Sequence, residues 1–209
     1  MSSLQLVLAR HGHCASLEVA DDDPIVPDDR NHLTDRGKRQ AETLARHVQQ
    51  HWPTATLICS PLPRARQTAA PIEAALGVTA TVDPRTAERN LGLPDTTTAA
   101  EARAAQLADL SNLEARRAGG ESIADHHARV GEWLAVVREE ATRDQVVVLV
   151  AHGGTLDLLQ LQLSGAPLSA AQRFFVRCRP AHYHLWTFVR ASPTLSAWRL
   201  DGVDLDPGA

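Results

Sequence analysis

Two histidines that each precede a glycine are the residues of this chain best suited to chemistry. Arg10-His11-Gly12 follows the apolar run Leu4–Ala9. His152-Gly153-Gly154 follows the apolar run Val146–Ala151 in the same way. Short apolar runs of this kind predict buried strands, and reacting groups gather at the carboxyl ends of strands in open α/β sheets. We therefore expect both histidines to lie at one functional site.

Two further segments place charged side chains in equivalent positions. Ser60-Pro61 is predicted to begin the helix that follows the strand Thr56–Cys59, which puts Arg64 in its first turn. Glu88 lies in the loop after a short strand predicted over Val78–Val82. Because the connections that follow parallel strands open on one edge of the sheet, both charged side chains are expected to converge with the histidines.

These side chains together have the character of a phosphoryl-transfer site. The guanidinium groups of Arg10 and Arg64 suit a tetrahedral dianion, because each presents planar, paired donors. The predicted helix start and Gly153 add backbone N–H donors of favourable dipole direction. One histidine is then available to attack phosphorus and the other to stabilise transition-state charge. Glu88 is available to protonate the leaving alcohol. Because the arginines and a histidine supply the positive charge, no metal or other cofactor is expected.

The elements that must carry these residues alternate between strand and helix. This order predicts an α/β, three-layer α/β/α fold whose mostly parallel central sheet is flanked by helices, with an antiparallel C-terminal edge. Residues 18–30 and 96–117 are expected to form a small helical and loop cap over the strand ends. The predicted helices are Thr34–Gln50, Pro61–Leu76, Ala99–Arg117, Ser122–Thr142 and Thr155–Leu163. The predicted C-terminal strands are Phe174–Arg177, His182–Val189 and Thr194–Leu200.

Composition and charge are those of an ordinary globular protein. The chain has 209 residues, 44% hydrophobic and 22% charged, with a formal net charge of −4. This length favours a single domain over residues 1–209, and the charge gives no indication of nucleic acid or a membrane surface as a partner. Cys14, Cys59 and Cys178 are widely spaced and no export-signal pattern is visible, so a cytoplasmic location is expected. An exposed C-terminal edge strand would permit a homodimer.

At these residues the chain resembles the histidine phosphatase superfamily, whose best-known branch contains the cofactor-dependent phosphoglycerate mutases. An Arg-His-Gly triplet alone would be a weak signal, whereas six segments in the family's order are a specific one. The matching segments are Leu8–Gly12, Leu33–Gly37 with Gln40-Ala41, Cys59–Ala69, Glu88–Gly92, Gly119–Ser122 with Arg129-Val130, and Ala151–Gly154.

The resemblance implies a role for each candidate residue. His11 would be the nucleophile that becomes phosphorylated. Arg10, Arg64 and His152 would hold the phosphoryl group. Glu88 would be the general acid and base. A glycine follows the second histidine where one branch of the family has a proton-donating aspartate, which strengthens the assignment of the glutamate.

The departures from the family's pattern concern the substrate. His13-Cys14 stands where many members have Glu or Gln followed by a small residue, and Leu17 stands near the position of an asparagine in the mutases. The basic insert that mutases place after the acid/base loop is shortened here. This favours a phosphatase acting on a small phosphorylated metabolite, with water as the phosphoryl acceptor. The alternatives are a phosphoglycerate mutase-type phosphotransferase and a non-catalytic phosphate-binding module.

The remaining histidines have less specific interpretations. His11 with His13, and His182 with His184, have the i, i+2 spacing that places two zinc ligands on one face of a strand. No acidic ligand set accompanies them, so no metal is predicted. The neighbouring pair His126-His127 is interpreted as solvent-exposed on a helix.

Overall fold

The structure, a computed structural model, describes residues 3–141, 145–170, 178–190 and 196–207. A single sheet of six strands runs through this part of the chain. The strands are β1 (Ser3–Arg10), β2 (Thr56–Cys59), β3 (Thr81–Val82), β4 (Gln145–Ala151), β5 (Tyr183–Arg190) and β6 (Ser196–Leu205). The predicted strand Phe174–Arg177 lies outside the described residues.

The sheet combines a parallel half with an antiparallel edge. Its spatial order is β3-β2-β4-β1-β5-β6. The first four strands in that order pair in parallel, whereas β5 and β6 pair antiparallel, beginning at β1. The prediction of a mostly parallel sheet with an antiparallel C-terminal edge is therefore confirmed. Most residues of β1 and β4 are buried, which explains their nearly continuous apolar sequences.

Helices cover both faces of this sheet. They are α1 (Asp35–His51), α2 (Pro63–Leu76), α3 (Ala99–Asp109), α4 (Ile123–Glu140) and α5 (Gly153–Leu163). On one face, side chains of α1 and α2 contact the strands, among them Leu44, Val48, Ala69 and Ile72 against Val7, Leu57 and Val148. On the other face, α4 and α5 contribute Trp133, Leu156 and Leu159 against Leu6, Leu8 and Leu149. These two apolar layers confirm the three-layer fold. No helix among the described residues is long and apolar enough to cross a membrane.

The start of α2 differs from the prediction. The helix begins at Pro63 with Leu62 as its N-cap, not at Ser60-Pro61. The Ser60 hydroxyl lies 2.6 Å from Nε2 of His152, so this side chain serves a long-range contact instead of a helix cap. Arg64 still lies in the first turn of the helix, as expected, because Pro63 takes the first helical position that was predicted for Pro61.

Two other helix bounds also differ from the sequence prediction. Helix α3 ends at Asp109 and does not continue to Arg117. The Asp109 carboxylate is buried and accepts from Arg117 at 2.6 Å and from Arg89 at 2.8 Å, so the chain turns back onto the end of the helix. Helix α5 begins at Gly153 rather than Thr155, which makes the two glycines its first turn.

The turn after β1 packs backbone against backbone on the start of α1. A Cβ atom on Gly37 would lie 1.9 Å from the carbonyl oxygen of His13. A Cβ atom on Gly12 would lie 2.6 Å from the carbonyl oxygen of Gly37. The Thr34 N–H also donates to the His13 carbonyl, at 3.0 Å. Only glycines allow the segment that follows His11 to lie this close to the helix.

Substitution of Gly37 tests this close approach. Gly→Ala inside a helix normally stabilises by about 1 kcal/mol, but here the methyl group would meet backbone that has no room to yield. We expect Gly37→Ala to lower the free energy of unfolding by about 1–3 kcal/mol, measured by urea denaturation. Arg36→Ala, at the exposed neighbouring position, is the control and should change it by less than about 0.5 kcal/mol. Unchanged stability of Gly37→Ala would contradict the packing described.

Candidate active site

The two histidines lie side by side because β1 and β4 pair in parallel. Arg10 is opposite Ala151 in the register, and the His11 N–H donates to the Ala151 carbonyl at 3.0 Å. The ring centroids of His11 and His152 are 5.2 Å apart. Both side chains are almost completely buried, at 4% and 1% exposure. The structure thus brings together the two strand ends that sequence analysis singled out.

The His11 ring is held in one orientation by its own backbone. Its Nδ1 lies 2.8 Å from the Gly12 carbonyl oxygen, which can only accept, so Nδ1 carries the proton. The Nε2 lone pair is then available whenever the ring is neutral. Burial, followed by the charges of Arg64 and Arg10, holds the pKa of His11 well below its ordinary value, so the neutral form predominates.

His152 is oriented from the neighbouring strand end. Its Nε2 lies 2.6 Å from the Ser60 hydroxyl, which also accepts from the Leu62 N–H at 3.3 Å. Its Nδ1 is buried and has no hydrogen-bond partner within the described part of the chain. Burial and the nearby His11 and Arg64 hold the pKa of His152 well below its ordinary value. Ser60 was predicted only to begin the following helix, and the pairing of β2 with β4 is what brings it into contact with the histidine.

Two arginines bring positive charge to the histidines. Arg10 donates through Nη1 to the Cys178 carbonyl at 3.0 Å, while its Nε is buried without a partner among the residues described. Its guanidinium carbon lies 3.6 Å from the point where a Cβ atom on Gly153 would be. Arg64 is 5% exposed and donates through Nη1 to Asp28 Oδ1 at 2.7 Å. Asp28 belongs to the segment predicted to form the mouth, but no sequence signal marked it as a partner of Arg64.

The Glu88 carboxylate is fixed by the start of α5. Its Oε2 accepts from the Gly154 N–H at 2.9 Å, and its Oε1 accepts from the Arg89 N–H at 3.0 Å. A Cβ atom on Gly154 would lie 2.6 Å from Oε1, so the glycine leaves the space that the carboxylate occupies. Glu88 therefore lies beside the first turn of the helix that follows His152.

His126 lies beneath this carboxylate, and its interpretation as a solvent-exposed side chain was wrong. It is 1% exposed, and its Nε2 lies 3.1 Å from the Thr155 hydroxyl. Thr155 donates in turn to the Ala87 carbonyl at 3.0 Å, next to Glu88. Burial lowers the pKa of His126 to about 3. The pattern of α4 alone could not reveal this, because α5 covers the face on which His126 lies.

A cleft of about 1220 Å³ opens over these residues. Arg10, Arg64, Glu88 and Gly153 line it, and the buried rings of the two histidines lie next to them. The opening of the cleft, called the mouth below, is formed by parts of residues 18–30 and by α3. These belong to the segments that were predicted to form a cap over the strand ends. No group of three or more His, Cys, Asp and Glu side chains with metal-binding geometry occurs in the part of the chain that the structure describes.

This arrangement matches a known family. The chain matches the model of the histidine phosphatase superfamily (branch 1) over residues 6–201. The chain belongs to this superfamily. A relative named as a probable phosphoglycerate mutase, GpmB, from Yersinia pestis is 31% identical over 184 residues, which cover 83% of this chain and 81% of that protein.

Solved structures of two phosphatases have the same fold. A mycobacterial glucosyl-3-phosphoglycerate phosphatase superposes with a TM-score of 0.79 at 27% identity, covering 97% of this chain and 99% of that one. The α-ribazole phosphatase of Shigella flexneri superposes with a TM-score of 0.76 at 22% identity, covering 97% and 96%, and this likeness shows the fold alone. The superfamily contains both phosphatases and mutases, so the reaction has to be argued from the site.

The buried histidines should make the free energy of unfolding of this protein depend on pH. Below about pH 6.5 the unfolded chain protonates each of them, whereas the folded chain keeps His126 neutral down to about 3. The free energy of unfolding should therefore fall as the pH decreases from 6.5 towards 5, by about 1.4 kcal/mol per pH unit for each such histidine. Urea denaturation across this range measures the slope.

The contribution of one histidine can be isolated by substitution. His126→Asn should reduce the slope by about 1.4 kcal/mol per pH unit, whatever it does to stability at neutral pH. Gln50→Asn, which removes no titratable group from an exposed position of α1, is the control and should leave the slope unchanged. A His126→Asn protein with the wild-type slope would show that His126 titrates normally in the folded state.

Proposed function

We propose that this protein is a metal-independent phosphomonoesterase that forms a phosphohistidine at His11 and uses Glu88 as its general acid and base. The observation that carries the proposal is the juxtaposition of two neutral histidine rings, two arginines and one fixed carboxylate at the same sheet edge. These groups divide the tasks of phosphoryl transfer: His11 attacks phosphorus, the arginines and His152 hold the phosphoryl group, and Glu88 transfers the proton.

The phosphoryl group would be held by positive charge and by donors that are otherwise unsatisfied. Arg10 Nε and His152 Nδ1 are buried without partners among the described residues. A bound anion would accept from both if the Ser60 hydroxyl donates to His152 Nε2, because Nδ1 of the neutral ring then carries the proton. Arg64 supplies the second guanidinium group. The N–H of Gly153 belongs to the first turn of α5, where the helix dipole favours a negative ligand. These groups would also stabilise the charge that accumulates on the equatorial oxygens in the transition state.

Two chemical steps follow from this placement. Nε2 of neutral His11 attacks phosphorus, the ester P–O bond breaks, and protonated Glu88 gives its proton to the leaving oxygen. Glu88, now ionised, then takes a proton from water while that water attacks the phosphohistidine. The P–N bond breaks, inorganic phosphate leaves and His11 is neutral again. The arginines supply the positive charge that a metal ion would otherwise provide.

Transfer to a second substrate hydroxyl is the alternative, and the name of the GpmB relative favours it. The covalent step would be the same, but the phosphoryl group would return to another position of a sugar acid. The phosphatase relative of similar identity and the shortened segment after Glu88 favour water as the acceptor. Following 3-phosphoglycerate by NMR distinguishes the two reactions, because a mutase gives 2-phosphoglycerate without net release of phosphate.

Replacement of the proposed nucleophile is the decisive test. His11→Asn should lower kcat for p-nitrophenyl phosphate by about 10³-fold or more, since the covalent intermediate is lost. Wild-type protein quenched during turnover should carry an acid-labile, alkali-stable phosphoryl group that the variant lacks. His32→Asn, at an exposed histidine, is the control and should behave as wild type. Full activity of His11→Asn would overturn the mechanism, and loss of wild-type activity in EDTA would overturn its metal independence.

The role of Glu88 is tested by varying the leaving group. An alkoxide needs a proton to leave, whereas p-nitrophenolate leaves unaided. Glu88→Gln should therefore lower kcat/KM, which reports on the step that forms the phosphohistidine, about 10²–10⁴-fold for an alkyl ester such as glycerol 3-phosphate, and far less for p-nitrophenyl phosphate. Glu114→Gln, an exposed glutamate, is the matched control. Equal losses of kcat/KM on both esters would show that Glu88 does not act as the proton donor.

A further inference from the structure

We propose that the cleft accepts phosphomonoesters whose alcohol part carries no second negative charge, and that Asp28 is the residue that determines this specificity. The inference rests on the proposed phosphomonoesterase function and adds the class of substrate. It depends on three features of the cleft: the contact of Asp28 with Arg64, the pairing of the remaining arginines, and the character of the lining.

Asp28 lies at the boundary between the buried arginine and the mouth. Its Oδ1 accepts from Arg64 Nη1 at 2.7 Å, and the Asp28 side chain is 47% exposed whereas that of Arg64 is 6% exposed. The short helical turn Asp28–Arg30 holds the carboxylate in this place. A group attached to a phosphate that is bound by Arg64 therefore passes close to a fixed negative charge.

The other arginines near the mouth are already engaged with carboxylates. Arg89 donates to Asp109 at 2.8 Å, and its side chain is only 9% exposed. Arg103 forms an ion pair with Asp21. Arg30, next to the cleft, pairs with Asp95 at 3.1 Å. Among the described residues that surround the mouth, these guanidinium groups are already neutralised by a carboxylate, so a second anionic group gains little net attraction from them.

The lining of the cleft combines acidic and apolar side chains with the paired arginines. Asp28, Asp29 and Asp95 are among the acidic ones. The apolar lining includes Ile25, Val26, Leu91, Leu93 and Leu107, the last of which is 68% exposed on α3. Such a lining favours a neutral or amine-bearing alcohol with some apolar surface, and it repels a carboxylate or a second phosphate. Placing a like charge beside the binding position is a common way of rejecting the wrong ligand.

Three esters of similar size test the proposal by their charge alone: glycerol 3-phosphate (neutral), phosphoethanolamine (cationic) and 3-phosphoglycerate (anionic). Wild-type kcat/KM, measured as released phosphate, should be at least about tenfold lower for 3-phosphoglycerate than for the other two, a difference of about 1.4 kcal/mol. Added salt should reduce the difference in kcat/KM between 3-phosphoglycerate and the other two esters, because salt screens an electrostatic repulsion.

Asp28→Asn removes the charge and keeps the shape of the side chain. It should raise kcat/KM for 3-phosphoglycerate relative to glycerol 3-phosphate by about fivefold or more. Asp22→Asn is the matched control, since it removes one charge at an exposed position of the same segment that does not line the cleft. Thermal unfolding of both variants shows whether the fold is kept, and a ratio of two substrates is insensitive to a loss of folded protein.

The possible results separate this inference from the function on which it rests. A preference for 3-phosphoglycerate in the wild type, or an unchanged ratio in Asp28→Asn, overturns the specificity while His11-dependent hydrolysis still stands. An equal gain on all three esters also overturns it, because Asp28 would then only compete with phosphate for Arg64. Failure to hydrolyse these esters and p-nitrophenyl phosphate overturns both proposals.

Discussion

The parallel pairing of β1 with β4 is the constraint on which the rest of the site depends. It sets His11 beside His152 at the same sheet edge, with Arg10 opposite Ala151. The pairing of β2 with β4 then brings Ser60 to the second histidine, and α5 begins where β4 ends. A shift of the register by one residue would reverse the face of every side chain in β1 and separate the two rings.

Burial and positive charge act together on these rings. An imidazolium would repel both arginines and would lose its hydration, so the neutral form is favoured at each histidine. A neutral ring has the lone pair that a nucleophile needs. The same burial lowers the free energy of unfolding in acid, because the unfolded chain binds protons that the folded chain does not bind. The proposed chemistry and the pH dependence of stability therefore have one physical origin.

The two sides of the cleft have opposite electrostatic character. The side proposed for the phosphoryl group carries Arg10, Arg64 and buried donors that have no partner among the described residues, while the side proposed for the alcohol carries Asp28 and apolar side chains. Family membership establishes the fold and the class of chemistry, but the superfamily includes mutases and phosphatases alike. In our proposal, the residue that distinguishes substrates lies in the mouth, where Asp28 contacts Arg64. A single domain, a cytoplasmic location and a homodimer stay predictions from the sequence.

The sequence by itself determined the α/β fold class, the edge of the sheet that carries the site, and the candidates Arg10, His11, Arg64, Glu88 and His152. These follow from apolar periodicity and from motifs, which are local properties. Tertiary structure decided the contact of the Ser60 hydroxyl with His152, the burial of His126, the residue at which α3 ends and the contact of the Asp28 carboxylate with Arg64. Each of these depends on contacts between residues far apart in the chain, where local propensity carries no information. A polar side chain looks alike in sequence whether it faces solvent or a distant strand.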